Sequence, residues 1–204
     1  MATGASLGRF DTAERKPRVV AVSPDSRTAV VGFFSGGSDV IDLRTRRVVR
    51  TLDGDASTLT FTPDGGRLVI VDFTGRGTVF RTSDWRRSGL FSALSQGYAH
   101  LLVEPAGDLM FLASGPEVSV WDPTELRRLA TRVSLPGDGT NDGIFIAQAG
   151  NEPVLAVASQ TELATLDLRE STWRETACRI ADRQLTREEW GRLLPGRAYA
   201  PACA

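Results

Sequence analysis

One histidine, His100, and two cysteines, Cys178 and Cys203, are all the chain offers of the residues that most often serve as bases, thiol nucleophiles and soft metal ligands. A Ser-His-Asp triad would need His100 as its base. It stands at the edge of the apolar run Leu101-Leu102-Val103, where a structural role outweighs a catalytic one. Two thiolates cannot make a four-thiolate zinc site, and the sequence has no Asp-x-Asp-x-Asp calcium loop. No Gly-x-x-x-x-Gly-Lys-Ser/Thr phosphate loop occurs, and Phe73-Thr74-Gly75-Arg76-Gly77 has too few glycines to cradle a phosphate. Asp42, Asp122 and Asp167 recur in phase, so hydrogen bonds that stabilise turns explain them better than acid–base work does. These residues predict no catalytic group, no cofactor and no metal, and therefore a protein that is not an enzyme. A rival reading, an enzyme acting in a central channel, would need a cluster of polar side chains with perturbed pKa there.

Two charged or reactive sets remain. Arg46-Arg47, Arg86-Arg87 and Arg127-Arg128 recur at spacings of 40 and 41 residues. Such pairs could form an arc that engages an acidic protein partner, although pairing with the turn carboxylates Asp25, Asp64 and Asp108 is the plainer expectation. Cys178 and Cys203 flank a helical segment, and a disulfide there would staple the tail. An intracellular setting favours neighbouring reduced thiols instead, with Cys178 in an apolar strand.

The elements that carry these residues repeat. Ser23-Pro24-Asp25-Ser26, Thr62-Pro63-Asp64-Gly65, Glu104-Pro105-Ala106-Gly107 and the weaker Gln148-Ala149-Gly150 mark tight turns about 40 residues apart. Proline presets φ, aspartate bonds back to the backbone and glycine accepts positive φ. Short apolar runs precede and follow each turn, such as Val19–Val22 with Ala29–Val31 and Leu59–Phe61 with Leu68–Val71. They are too short for helices and read as buried strands. A third strand ends in Ile41-Asp42, Phe80-Arg81, Trp121-Asp122 or Leu166-Asp167, and a more polar fourth strand closes the first three units.

Four strands per 40 residues, with one Trp-Asp pair, resemble degenerate WD repeats, which implies an all-β fold of β-propeller blades. The chain from Val19 to Leu168 carries this resemblance, without the usual Gly-His dipeptide. The run Ala177-Cys178-Arg179 through Leu185-Thr186-Arg187-Glu188-Glu189-Trp190, then Leu193-Leu194-Pro195-Gly196, Tyr199 and Cys203, resembles the tail that ends many bacterial WD-repeat proteins. Among those are STAND-class signalling NTPases, whose propeller follows an NTPase module that this sequence lacks. The resemblance implies a protein-interaction or sensor scaffold, the terminal portion of a larger signalling protein or a shortened relative. A truncated product without independent function is a further alternative.

The expected organisation is a partial blade over residues 1–17, four WD-like blades over 18–172, and a C-terminal strand with a helical capping tail over 173–204. The strand is expected across Trp173 to Ile180. Thr186 and Glu189 form a capping box, which predicts the only substantial helix from about Arg187 to Leu194, with Trp190 buried against the last blade. Four blades and a fragment need not close a ring. An open arc would leave apolar edges near Phe10, Val19 and Val22, inviting self-association. The net charge is −1, so nothing in the overall balance points to nucleic acid or an anionic membrane, and neither is expected as a partner. No apolar run is long enough to span a bilayer, so a cytoplasmic protein is expected.

Overall fold

The structure is a computed structural model that describes residues 15–92, 99–114, 117–134, 143–149, 152–158, 163–193, 196, 198–201 and 203. The chain divides into two compact units, residues 1–144 with 157–163, and residues 145–156 with 164–204.

In the first unit, β1 (Pro17–Val22), β2 (Thr28–Phe33), β3 (Ser38–Asp42) and β4 (Arg47–Leu52) form one antiparallel sheet in sequence order. β5 (Thr58–Phe61), β6 (Arg67–Val71), β7 (Arg76–Arg81) and β8 (Arg87–Ser92) form the second. β9 (His100–Val103), β10 (Met110–Ser114), β11 (Glu117–Asp122) and β12 (Arg127–Ser134) form the third. The strands around Pro24 and Pro63 therefore belong to separate sheets, as the repeat requires. β13 (Gly143–Ala149), β14 (Glu152–Ala158) and β15 (Leu163–Asp167) make a three-stranded sheet.

The sheets of the first unit hold together by stacking. β1 lies against β5, and β5 against β9. Val30, Val40 and Leu52 of the first sheet meet Leu59, Phe61, Leu68, Ile70 and Phe80 of the second in one buried cluster. Val69, Val71, Val79 and Phe91 meet Leu101, Val103, Met110, Leu112 and Trp121 in the next. The middle sheet is thus apolar on both faces, which is why β6 reads as a near-continuous apolar run. Each fully buried side chain of this size contributes about 1.5–3 kcal/mol. At Gly77 a Cβ would stand 2.1 Å from the Phe91 ring, so glycine lets that ring cross the neighbouring strand into the core. The outermost strand β4 is exposed along all but Leu52, as a solvated edge should be.

The segment Trp173 to Ile180 is not a strand. It lies in helix α1 (Glu170–Ala181), and the strand expected in 173–204 is replaced by it. The repeat phase suggested a fourth strand, but local chemistry wins. No glycine or proline interrupts the run, and Arg174, Ala177, Cys178 and Ala181 share one face at helical spacing. Asp182 ends the helix at φ 53, its N–H donating to the Cys178 carbonyl. The second helix, α2 (Arg187–Leu193), sits where expected, so it is not the only helix and is the shorter one. Its capping box is formed: Glu189 N–H donates to Thr186 Oγ1 at 3.2 Å, and Thr186 N–H to Glu189 Oε2 at 2.9 Å.

Trp190 is half-buried rather than core, and α2 contains no buried residue. Its indole meets the Tyr199 ring edge-on at 5.6 Å instead of entering a sheet core. Cys178 and Cys203 are joined in a disulfide, against the expectation of free thiols, because α1 turns Cys178 toward the returning tail. Among the described residues no helix is long and apolar enough to cross a membrane.

Candidate interaction surface

In an antiparallel sheet taken in sequence order, the first and third connections emerge at the same end. Each first connection here is a Pro turn. Ser23 Oγ donates to Asp25 Oδ1 at 2.6 Å and accepts from Thr28 N–H at 3.0 Å. Thr62 Oγ1 does the same with Asp64 Oδ1 at 2.5 Å and Arg67 N–H at 3.0 Å. These hydroxyl donations, then backbone N–H groups, hold the Asp25 and Asp64 carboxyls below the usual carboxylate range. The third turn keeps the backbone frame, with Glu104 N–H to Leu109 O at 2.9 Å, but has Glu104 and Ala106 where the hydroxyl and carboxylate stand. Burial, then the nearby Asp108 charge, pushes the Glu104 carboxyl up.

The third connections carry the arginines. Asp42 Oδ1 accepts from Thr45 N–H at 2.6 Å, and Asp122 Oδ1 from Thr124 and Glu125 N–H at 2.8 and 2.9 Å. Asp167 likewise accepts from Arg169 N–H at 2.9 Å. The in-phase aspartates are turn acceptors: backbone N–H bonds lower the pKa of Asp42 and Asp122, and the Arg169 guanidinium, then its backbone N–H, lowers that of Asp167. The second sheet has Arg81 at this position and recruits Asp84, 3.4 Å from Arg81 Nη1.

Each of these turns ends in a left-handed residue, Arg46 at φ 57, Trp85 at φ 57 and Leu126 at φ 53. The structure therefore corrects the phase of the arginine pairs. Arg47 pairs with Asp42, Arg86 with Arg81, and Arg127 with Asp122 across the ladder. The equivalent residues are Arg47, Arg86 and Arg127, one on each sheet. Arg46 instead matches Trp85 and Leu126, while Arg87 and Arg128 match Val48.

All three equivalent arginines are exposed. Arg86 Nε lies 4.0 Å from Asp84, and Arg127 Nε 3.2 Å from Glu125. The local carboxylates are thus Asp84 and Glu125, within the same turns, rather than Asp25, Asp64 and Asp108. Arg87 is exposed on β8, and Arg128 is half-buried with its guanidinium 5.9 Å from the Trp121 ring.

Two grooves separate the turns. One, of about 360 Å³, lies between Pro24 and Asp25 on one side and Asp64, Thr82 and Trp85 on the other. The second, of about 190 Å³, lies between Pro63 and Pro123. Arg67 crosses it, donating from Nη1 to the Pro123 carbonyl at 3.0 Å. Sequence reasoning missed Arg67, whose position directly after a Pro-Asp-Gly-Gly turn was the available signal. Among the described residues no group of three or more His, Cys, Asp or Glu side chains is placed to hold a metal ion. The surface offers repeated cations, carbonyls and shallow grooves.

No family model matches the sequence, and no curated protein matches it. Among solved structures, the fold is similar to hydrazine synthase of Kuenenia stuttgartiensis, with a TM-score of 0.65 over 81% of this chain and 50% of that one. Identity is 16%, so the likeness concerns the fold alone, and the chain spans about half the length of the structure it matches. The fold is all-β and β-propeller-like.

Proposed function

We propose that this protein is an interaction scaffold of WD-repeat type, each four-stranded sheet being one blade, and that its partner is a protein with an acidic surface. The observation that carries this reading is the row formed by Arg47, Arg86 and Arg127, exposed at equivalent positions on three stacked sheets. Asp84 and Glu125 lie beside two of them without burying them. A partner carboxylate can therefore exchange with those neighbours at small cost. The tail resemblance supports a signalling context, as the terminal part of a larger cytoplasmic protein. On this reading the face serves binding rather than catalysis.

The test is affinity capture from the native cell with mass spectrometry, run beside the triple variant Arg47→Glu, Arg86→Glu, Arg127→Glu. Partners held by the wild type should be lost from the variant at equal recovery of folded protein. The same partner set on both proteins would refute the assignment of this face.

A further inference from the structure

We propose that the Cys178–Cys203 disulfide is a redox latch that holds the tail as a closed cap and, on reduction, lets it open. The two cysteines are the only ones in the chain, and they join α1 to a residue 25 positions further on, with Cα atoms 5.4 Å apart. Three contacts tie the intervening segment to itself. Arg183 pairs with Glu189 at 2.7 Å, Tyr199 Oη donates to the Leu185 carbonyl at 3.1 Å, and Arg187 stacks 4.6 Å from the Tyr199 ring centroid. The segment meets α1 across an open apolar groove of about 370 Å³, with Ala177 and Ala181 on one wall and Leu185, Trp190 and Tyr199 on the other.

That groove is too shallow to hold the segment as a core would. Leu185 is 36% exposed, and α2 has no buried residue. The covalent bond therefore carries the closure, because it removes the chain entropy of a long open loop. Both cysteines are half-exposed, within reach of a reductant.

Opening is a thiol–disulfide exchange with a dithiol. One thiolate of the reductant attacks a sulfur of the pair, forming a mixed disulfide and releasing the other cysteine as a thiolate that takes a proton. The second reductant thiol then attacks the mixed disulfide and frees the remaining cysteine. Two electrons and two protons pass to the protein, and the reductant leaves as its own disulfide. Reducing cytoplasm supplies such dithiols, so a cytoplasmic location makes the bond a signal rather than a permanent staple. The open state dismantles the groove and frees Trp190 and Tyr199.

The test uses the full chain, purified in air and only then treated with iodoacetamide, and hydrogen exchange with and without dithiothreitol. Unreduced protein should carry no alkylated cysteine. On reduction, peptides covering 183–200 should exchange at least tenfold faster while β5–β7 remain unchanged. The double variant Cys178→Ser, Cys203→Ser should match the reduced protein without added reductant, which separates the latch from side effects of dithiothreitol. Two alkylated cysteines in native, unreduced protein would overturn the proposal. So would tail exchange that reduction leaves unchanged.

Discussion

The first strands of the three stacked sheets occupy equivalent positions and yet have opposite fates. Leu59 and Phe61 in β5 are 4% and 7% exposed, and Leu101 and Val103 in β9 are both 8% exposed. Val20 and Val22, at the same two positions of β1, are 62% and 53% exposed. The left-handed turn residue follows the same division. Trp85 packs on the cluster containing Phe61, and Leu126 on the cluster containing Val103, whereas Arg46 points its charge into water. The exposure falls on the outer strands of that sheet, at Val20 and Val22 of β1 and Val48 of β4, since Ala29 and Ile41 on the strands between them are buried. The difference teaches that the β-strand pattern alone does not decide burial in a repeat array. A strand is core where a neighbouring sheet covers it.

Phe61→Ala against Val22→Ala is the largest expected contrast. Removing the Phe61 ring from between two sheets should cost about 3–5 kcal/mol, while Val22→Ala should stay within about 0.5 kcal/mol. Denaturant midpoints measure both, and equal losses would break the comparison. Trp85→Arg gives the second sheet the residue that the first sheet carries. The Trp85 indole meets Phe61 edge-on at 6.5 Å, so its loss should cost about 1–3 kcal/mol in the same measurement. A neutral result would mean that the left-handed position is indifferent to what packs on it.

A smaller effect belongs to the third Pro turn. Glu104→Thr with Ala106→Asp would install the hydroxyl–carboxylate pair found at Thr62 and Asp64, and should stabilise by about 1 kcal/mol at neutral pH. The sign follows from the raised Glu104 pKa. A carboxyl whose folded pKa lies above its unfolded value favours the protonated form, so wild-type stability falls as pH rises from the unfolded value through the folded one. The variant loses that dependence. Its new carboxylate should behave like Asp64, whose lowered pKa contributes stability above the unfolded value that is lost in acid. Urea titrations at pH 4 and pH 7 would show the variant's advantage growing with pH.

The sequence was most legible where one repeat could be checked against the next. Turn position, sheet membership and the role of Asp42 and Asp122 follow from periodicity plus turn chemistry, and the structure has them so. Periodicity failed where it was extended too far. It assigned Trp173–Ile180 to a strand because a fourth strand was due, although the run lacked any breaker and presented a helical face. It also aligned Arg46 with Arg86 by sequence spacing, and only the left-handed turn residue reveals the one-residue offset. The exposure of Trp190 was beyond reach for another reason. A helix with apolar residues on one face announces a contact, but the pattern does not say whether the cover is a sheet, a tail aromatic or nothing.

The last contrast sets the three equivalent arginines against everything beneath them, and its expected effect on stability is the smallest. Arg47→Ser, Arg86→Ser and Arg127→Ser together remove the ion pairs to Asp84 and Glu125. Those pairs lie at 4.0 and 3.2 Å, with arginine side chains 80% and 58% exposed. Pairs so open to water are worth little, because solvent screens them and two long side chains must be ordered to form them. The turns should keep their shape, since Asp42 and Asp122 take their bonds from backbone N–H groups and not from the arginines. The triple variant should therefore unfold within about 0.5 kcal/mol per site of the wild type in urea. A loss of several kcal/mol would mean that the arginines hold the sheet ends together, and would remove the reason for reading them as a surface kept free for a partner.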